Sequence, residues 1–120
     1  MMDSSGNAHT GHSVRTEDLK TGAAYYRLTF ADADLTIPGV QPMIYIGTNV
    51  FPDDDPASTV HYFQDTTSYS WRGPVTDAAH DTKNPEIESC VFPHTEDEVR
   101  SGILTLAEVI AALIEAQKRA

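Results

Sequence analysis

Alternating apolar and polar residues predict a small β-sheet. In the stretch 24–30, the side chains of Tyr26, Leu28 and Phe30 fall on one face of an extended chain. One buried face and one wet face are typical of antiparallel strands, because the strands of a parallel sheet are usually buried on both faces. The first strand is therefore predicted at 24–30, in an antiparallel sheet.

The aromatic-rich stretch VHYFQDTTSYSW at 60–71 is predicted to form the centre of this sheet. Its first half alternates as a pleated strand does. The polar run from Asp65 to Ser68 has two interpretations, a hairpin turn or the cap of a short helix, since these side chains bond readily to nearby backbone. Tyr69 and Trp71 are two residues apart, which favours a second strand returning along the first. The hairpin is the preferred interpretation.

Two further strands are predicted at 43–51 and 87–92, in a region that prolines divide into short pieces. Pro38 and Gly39 predict a turn before the first of these strands. Gly47 inside that strand indicates either a β-bulge or an ordinary packing glycine, and the packing glycine is preferred. The strand at 87–92 is predicted to lie at an edge of the sheet.

The C-terminal part of the chain contains two helix-start signals. Thr95 with Glu98, and Thr105 with Glu108, have the S/T-x-x-E spacing of a capping box. The first predicted helix is short and ends near 101–102, and the second runs from 106 to about 119. The second has an apolar stripe that we expect to be buried against the sheet; its members are Leu106, Val109, Ile110, Leu113 and Ile114.

These patterns predict an α+β fold, with a small, mainly antiparallel sheet of four or five strands and a C-terminal amphipathic helix packed on one face. Residues 1–21 are polar and aperiodic and are predicted to form a disordered N-terminal arm, and residues 22–120 a single domain. The longest apolar run, 109–114, is far shorter than the roughly 20 residues of a membrane-spanning helix. No secretory signal is visible and there is one cysteine, so the cytoplasm is the expected location.

Acidic residues are concentrated in the middle of the chain. The net charge is −10, and between Ala31 and Glu98 there are 13 acidic residues against only Arg72 and Lys83. Such a field repels nucleic acids and anionic membranes, so we expect binding to neither. It attracts cations and basic proteins. The simpler interpretation is that the acidic loops keep a small domain soluble.

Candidate catalytic and metal-binding residues form only weak patterns. The three aspartates at 53–55 lack the alternate spacing of an EF-hand loop, so a solvated turn is predicted there and no bound metal. Cys90 and His94, with His80 in the preceding loop, suggest a thiolate–imidazole pair or a zinc site on paper. Neither is favoured, because a free cysteine is usually a small buried hydrophobe and the close ligand spacing of zinc sites is absent. The common nucleotide, acyl-transfer and metalloprotease motifs are also absent, and no cofactor is predicted.

The functional hypothesis is a non-catalytic, acidic protein-interaction domain that docks a basic surface, as an inhibitor, an immunity or antitoxin-like protein, or a regulatory protein does. Opposite charge speeds association, and aromatic residues anchor interfaces. The alternative is a small-molecule-binding protein or enzyme with a pocket beside the aromatic hairpin 60–71, using His61, Asp65, Tyr69 or Trp71. The oligomeric state is left open. The predicted partner-binding residues are Asp53, Asp54, Asp55, Asp65, Tyr69 and Trp71.

Overall fold

In the described part of the chain, a five-stranded antiparallel sheet is accompanied by three helices whose full extent is seen. The computed structural model describes residues 15–77, 87 and 89–120. The strands lie in the order β4-β3-β2-β1-β5. The predicted α+β class with a small antiparallel sheet is therefore confirmed. The elements are β1 Ala24–Phe30, β2 Pro38–Thr48, β3 Val60–Asp65, α1 Thr66–Arg72, β4 Val91–Thr95, α2 Glu96–Gly102, β5 Ile103–Leu104 and α3 Leu106–Arg119.

The turn between β1 and β2 comes earlier than predicted. Pro38 and Gly39 do not form it, because they pair with Phe30 and Thr29 as part of β2. The chain reverses instead over 31–37, where the Asp32 carboxylate accepts hydrogen bonds from the backbone N–H groups of Thr36 at 3.0 Å and Ile37 at 2.8 Å. The Asp32 side chain thus satisfies the backbone of the turn, which needs neither proline nor glycine. The hydrogen bond from the Thr36 hydroxyl is the main cause that lowers the pKa of Asp32.

Gly47 marks a β-bulge, and the preferred packing-glycine interpretation was wrong. The register between β2 and β3 shifts between Tyr45 and Gly47. Gly47 has a φ of 133°, and a Cβ atom there would lie 2.6 Å from Cγ1 of Val50. A backbone conformation that L side chains rarely adopt, next to a close contact, requires glycine.

The last long strand lies at an edge of the sheet, as predicted, but its position along the chain is different. β4 covers 91–95 rather than 87–92, and Ile87 is a buried helical residue outside the strand. Pro93 lies within β4 opposite Tyr62. An edge strand accommodates proline because one of its sides needs no ladder donors.

A helix replaces the second strand of the predicted hairpin. Residues 66–72 form α1, so Tyr69 and Trp71 lie on a helix and not on a returning strand. β4 takes the place beside β3 that was predicted for this segment. Of the two interpretations of the polar run at 65–68, the helix cap was the correct one.

Both predicted capping boxes are present. Thr95 and Glu98 satisfy each other's backbone N–H groups at the start of α2, and Thr105 and Glu108 do the same at the start of α3. These signals act within four residues of one chain segment. The sequence is therefore sufficient to predict where both helices begin.

The helix α2 connects the two edge strands, which means that the sheet is strongly curled. In a flat five-stranded sheet the outer strands would lie about 19 Å apart, at about 4.8 Å per strand. The seven residues of α2 rise only about 10 Å, at about 1.5 Å per residue, yet they join the end of β4 to the start of β5. The first core lies on the side of the sheet that α2 covers, and its buried members are Tyr25, Met43, Tyr45, Phe63, Val99 and Ile103.

A second core lies on the other face of the sheet. Tyr62 and Phe63 are neighbours on β3 and point to opposite faces, so they belong to different cores. Residues 61–64 are all buried for this reason. The buried members of the second core are Ile46, Tyr62, Val75, Ile87 and Cys90.

The apolar stripe of α3 is only partly buried, contrary to the prediction. The helix packs beside β1 and β5 and buries Val109 and Ala116. Leu106, Ile110 and Ile114 keep 54%, 48% and 49% of their surface exposed. The sheet covers one side of the helix, and the predicted stripe extends round to the other.

The N-terminal arm was predicted to cover 1–21, and residues 1–14 lie outside the described part of the chain. Thr16–Asp18 form a single 3-10 turn. Leu19 packs against the first core, and the backbone N–H of Lys20 donates to the Tyr25 hydroxyl at 2.8 Å. The disordered arm remains a prediction for 1–14. Within the described residues, no helix has the length and apolar character needed to cross a membrane.

Candidate functional site

Helix α1 is held at both ends by hydrogen bonds. Asp65 is its N-cap, and its carboxylate accepts from the backbone N–H of Ser68 at 2.8 Å and from the Ser68 hydroxyl at 2.9 Å. At the other end, Gly73 has a φ of 74° and donates its N–H to the carbonyl of Tyr69 at 2.8 Å. A helix of seven residues is too short to be stable alone. The two caps supply part of the stabilisation that an isolated helix of this length lacks.

Gln64 attaches α1 and the following segment to the sheet. Its side chain is completely buried. Its amide nitrogen donates to the Ser68 hydroxyl at 3.0 Å and to the Gly73 carbonyl at 3.1 Å, and its amide oxygen accepts from the Val75 N–H at 2.9 Å. No role was predicted for Gln64 from the sequence. The available signal is an amide side chain directly after the aromatic pair Tyr62 and Phe63 of the strand.

The two aromatic residues of α1 have different environments. Tyr69 is partly buried and packs against the second core. Trp71 is 84% exposed. Two residues on a helix are about 200° apart, so a helix that packs Tyr69 inward directs Trp71 outward. Trp71 is therefore presented to solvent on a helix whose position Tyr69 and Gln64 determine.

The aspartates at 53–55 have three different roles. The Asp54 carboxylate accepts from the Phe51 N–H at 2.9 Å and from the Tyr62 hydroxyl at 2.5 Å. Burial and the adjacent Asp54 raise the pKa of Tyr62 to about 12. Asp55 accepts from the backbone N–H of Ala57 at 2.9 Å, and Asp53 is exposed. Asp54 is thus a structural residue, and Asp53 and Asp55 supply the exposed charge.

The acidic loop at 51–58 and helix α1 approach the same core. Phe51 packs edge-on against Tyr62, with ring centroids 4.8 Å apart, and Tyr62 belongs to the second core that Tyr69 also contacts. The structure therefore brings Asp54 and Tyr69 to one side of the sheet. The acidic loop precedes β3 and α1 follows it, so the two lie at opposite ends of this strand. We name Asp53, Asp55 and Trp71, on this side of the sheet, together the acidic-aromatic surface. Asp65 borders it, but its carboxylate is engaged as the helix cap.

His61 lies on the opposite face from Tyr69. Its Nδ1 is 3.2 Å from the Thr48 hydroxyl and 3.4 Å from the Tyr45 hydroxyl, and its Nε2 is 3.5 Å from the Glu96 carboxylate. The alternative hypothesis placed His61 in one pocket with Tyr69 or Trp71. That arrangement does not occur, because the pocket required a hairpin at 60–71 and the strand directs His61 towards the first core.

His61 and His94 form a polar cluster beside the first core. His94 is the cross-strand neighbour of His61, and its Nδ1 is 3.8 Å from the Glu98 carboxylate. The Nε2 atoms of both histidines are buried without a hydrogen-bond partner in the described part of the protein, since the 3.5 Å contact between His61 and Glu96 does not have hydrogen-bond geometry. Burial lowers the pKa of His94, and the charge of Glu98 partly opposes this. A shallow, open depression of about 170 Å³ adjoins the cluster and is lined by Arg27, His94, Glu98, Ser101, Gly102 and Ile103.

The structure does not bring Cys90 and His94 together. Cys90 is buried in the second core, and its thiol donates to the Ile87 carbonyl at 3.2 Å. His94 packs edge-on against Phe63, a member of the first core, so the sheet lies between the two side chains. His80, the third residue of the zinc pattern, lies outside the described residues. Among the residues that are described, no three histidine, cysteine or acidic side chains form a group able to hold a metal ion.

No protein-family model, curated protein or solved structure matches this chain.

Proposed function

We propose that this chain is a non-catalytic interaction domain that docks a basic protein surface through the acidic-aromatic surface. The observation that carries the proposal is the 84% exposure of Trp71. Tryptophan is among the residues most enriched at the energetic centres of protein interfaces. A tryptophan directed into solvent by a capped helix is a suitable anchor for a partner.

The way α1 is attached supports this role. Asp65 and Gly73 cap the helix, and Gln64 bonds to Ser68 and to Gly73 from below. An anchor that is already held in position loses less entropy when it binds, so more of its contact energy contributes to affinity. This is the physical advantage of presenting Trp71 on a fixed helix.

Exposed acidic charge on the same side of the sheet as Trp71 supports a basic partner. Asp53 and Asp55 are exposed on the loop that packs over the second core, next to the side of the sheet that carries α1. Unlike charges across an interface raise the association rate, and dissolved salt screens this effect. The class of protein that fits is an inhibitor, an immunity or antitoxin-like protein, or a regulatory subunit with a basic target.

The test uses the native cell extract and three baits: the unchanged chain, Trp71→Ala, and Ser70→Ala as a matched control on the exposed side of the same helix. We expect a basic protein to be captured by the unchanged and Ser70→Ala baits and lost with Trp71→Ala. The chain has a single tryptophan, so a blue shift of its fluorescence reports directly on the anchor when the purified partner is added.

Kinetic measurements with the captured partner separate the contribution of Trp71 from the contribution of the acidic charges. Trp71→Ala should raise the dissociation rate, and the double change of Asp53 and Asp55 to Asn should lower the association rate at low salt. Asparagine keeps the side-chain oxygen that accepts from Ala57, so the loop retains its shape. Capture that is indifferent to Trp71→Ala, or an association rate indifferent to salt, contradicts the proposal.

A further inference from the structure

The outer side of α3 is an apolar surface. Leu106, Ile110 and Ile114 recur at every fourth position and are 54%, 48% and 49% exposed. The exposed residues Ala107 and Ala111 lie beside them. The opposite side of the helix is the one that packs, through Val109 and Ala116. More than two turns of helix therefore present aliphatic side chains to solvent.

This surface reaches the hairpin between β1 and β2 at the C-terminal end of the helix. Arg119 Nε donates to the Leu35 carbonyl at 3.0 Å, and the Arg119 guanidinium lies 5.8 Å from the ring centroid of Phe30. Leu35, Ile37 and Val40 on the hairpin are exposed by 43%, 58% and 40%. Six of the seven large apolar side chains that are exposed in the described part of the chain thus belong to α3 or to this hairpin. Such a concentration is typical of an interface, whereas single exposed residues are not.

We propose that two copies of this chain associate through this surface, with their α3 helices antiparallel. The charge of the helix favours a second copy of this chain, and not a basic protein, as the molecule that covers this surface. The helix carries Glu108 and Glu115 against Lys118 and Arg119, so it is neutral, although the whole chain has a net charge of −10. A basic partner gains nothing at a neutral apolar face. Two copies that must avoid contact between their acidic middles meet best at this face.

The order of the charges along α3 selects the antiparallel arrangement. Glu108 lies in the first turn, and Lys118 and Arg119 lie in the last. A two-fold axis near Ile110 places the basic end of each helix at the acidic end of the other. The helix dipoles are then also opposed head to tail, which is favourable. Parallel helices would bring like charges together at both ends.

The hairpin is needed as well as the helix. A helix of 14 residues is about 21 Å long, and a specific interface buries about 800 Å² from each partner. One helix face supplies only part of that area. The exposed side chains of Leu35, Ile37 and Val40 enlarge the surface at its C-terminal end.

Salt distinguishes this association from the proposed function. Two copies that each carry −10 repel one another at long range, and salt screens that repulsion. The dimer should therefore strengthen as salt is added, whereas binding of a basic partner at the acidic-aromatic surface should weaken. Failure of either proposal leaves the other untouched.

Sedimentation equilibrium of the full chain, from low to high micromolar concentration and at low and high salt, measures the association. We expect a monomer–dimer equilibrium that shifts towards dimer with salt. Ile110→Glu should give a monomer at all concentrations, while Ile110→Leu and Trp71→Ala should retain the dimer, with folding checked by circular dichroism. A chain that is monomeric throughout, or an Ile110→Glu variant that still dimerises, overturns the proposal.

A disulfide-exchange experiment tests the orientation. In a Cys90→Ser background, Leu106→Cys and Ile114→Cys chains are mixed and oxidised slowly. Antiparallel helices place position 106 of one copy near position 114 of the other, so disulfides between the two different variants should predominate. Disulfides between identical variants would mean parallel helices and overturn the arrangement.

Discussion

The amide oxygen of Gln64 accepts a hydrogen bond from the backbone N–H of Val75 at 2.9 Å, and both residues are buried. The bond joins the C-terminal end of β3 to the segment that leaves α1. Gln64→Leu should lower the free energy of unfolding by about 1–3 kcal/mol, because the buried Val75 N–H loses its hydrogen-bond partner. Denaturant titration measures the loss. The exposed Gln41→Leu on β2 is the control, and equal effects of the two changes would mean that the bonds of Gln64 are unimportant.

The cap of α1 is separable from the charge of its residue. Asp65→Ala removes the acceptor for the Ser68 N–H and should cost about 0.5–2 kcal/mol of stability, as loss of an N-cap does. Asp65→Asn keeps a side-chain oxygen and should cost only a few tenths. Amide exchange at 68–72 should accelerate in the alanine variant alone. Faster exchange in both variants would mean that the negative charge, and not the cap, holds the helix.

Tyr62 should titrate abnormally. Its pKa is raised to about 12 by burial and by Asp54, so a tyrosine that ionises near this pH should be visible in an ultraviolet titration and absent from Tyr62→Phe. Asp54→Asn should move the value towards 10. The pKa of Tyr62 is higher in the folded chain than in the unfolded chain. The stability that comes from keeping Tyr62 protonated is therefore complete below pH 10 and is lost as the pH rises towards 12. A Tyr62 signal that is unchanged in Asp54→Asn would contradict the assigned cause.

His94 should make the protein less stable in mild acid. Burial lowers its pKa from the usual 6.5, so the unfolded chain binds a proton at a higher pH than the folded one. The stability that comes from keeping His94 neutral is therefore complete above about pH 6.5 and falls as the pH decreases below this value. His94→Gln should reduce this dependence when unfolding is compared one pH unit above and below 6.5. Glu98→Gln should steepen it, because the carboxylate favours the charged imidazole. A pH dependence that is the same in His94→Gln would assign the effect to another group.

The sequence by itself determined the elements whose causes are local. Thr95 with Glu98 and Thr105 with Glu108 satisfy backbone groups within one helical turn, so the starts of α2 and α3 were readable from four residues each. The strand at 24–30 was readable because side-chain alternation needs no partner strand to be recognised.

Tertiary contacts decided the conformation of 65–72. The sequence permitted a hairpin or a capped helix, and the choice depended on contacts distant along the chain: Gln64 bonds to Gly73 and Val75, and the edge beside β3 is taken by β4. Spacing alone preferred the wrong alternative, since Tyr69 and Trp71 suit either a strand or two sides of a helix.

Which side of each element is covered was also a tertiary matter. The apolar stripe of α3 predicted burial of Ile110 and Ile114, but the helix lies beside an edge of a curled sheet, and only the side with Val109 and Ala116 is buried. Hydrophobic periodicity reports that a face is apolar. Whether the sheet, solvent or another molecule covers it depends on how the strands are arranged, which no local pattern contains.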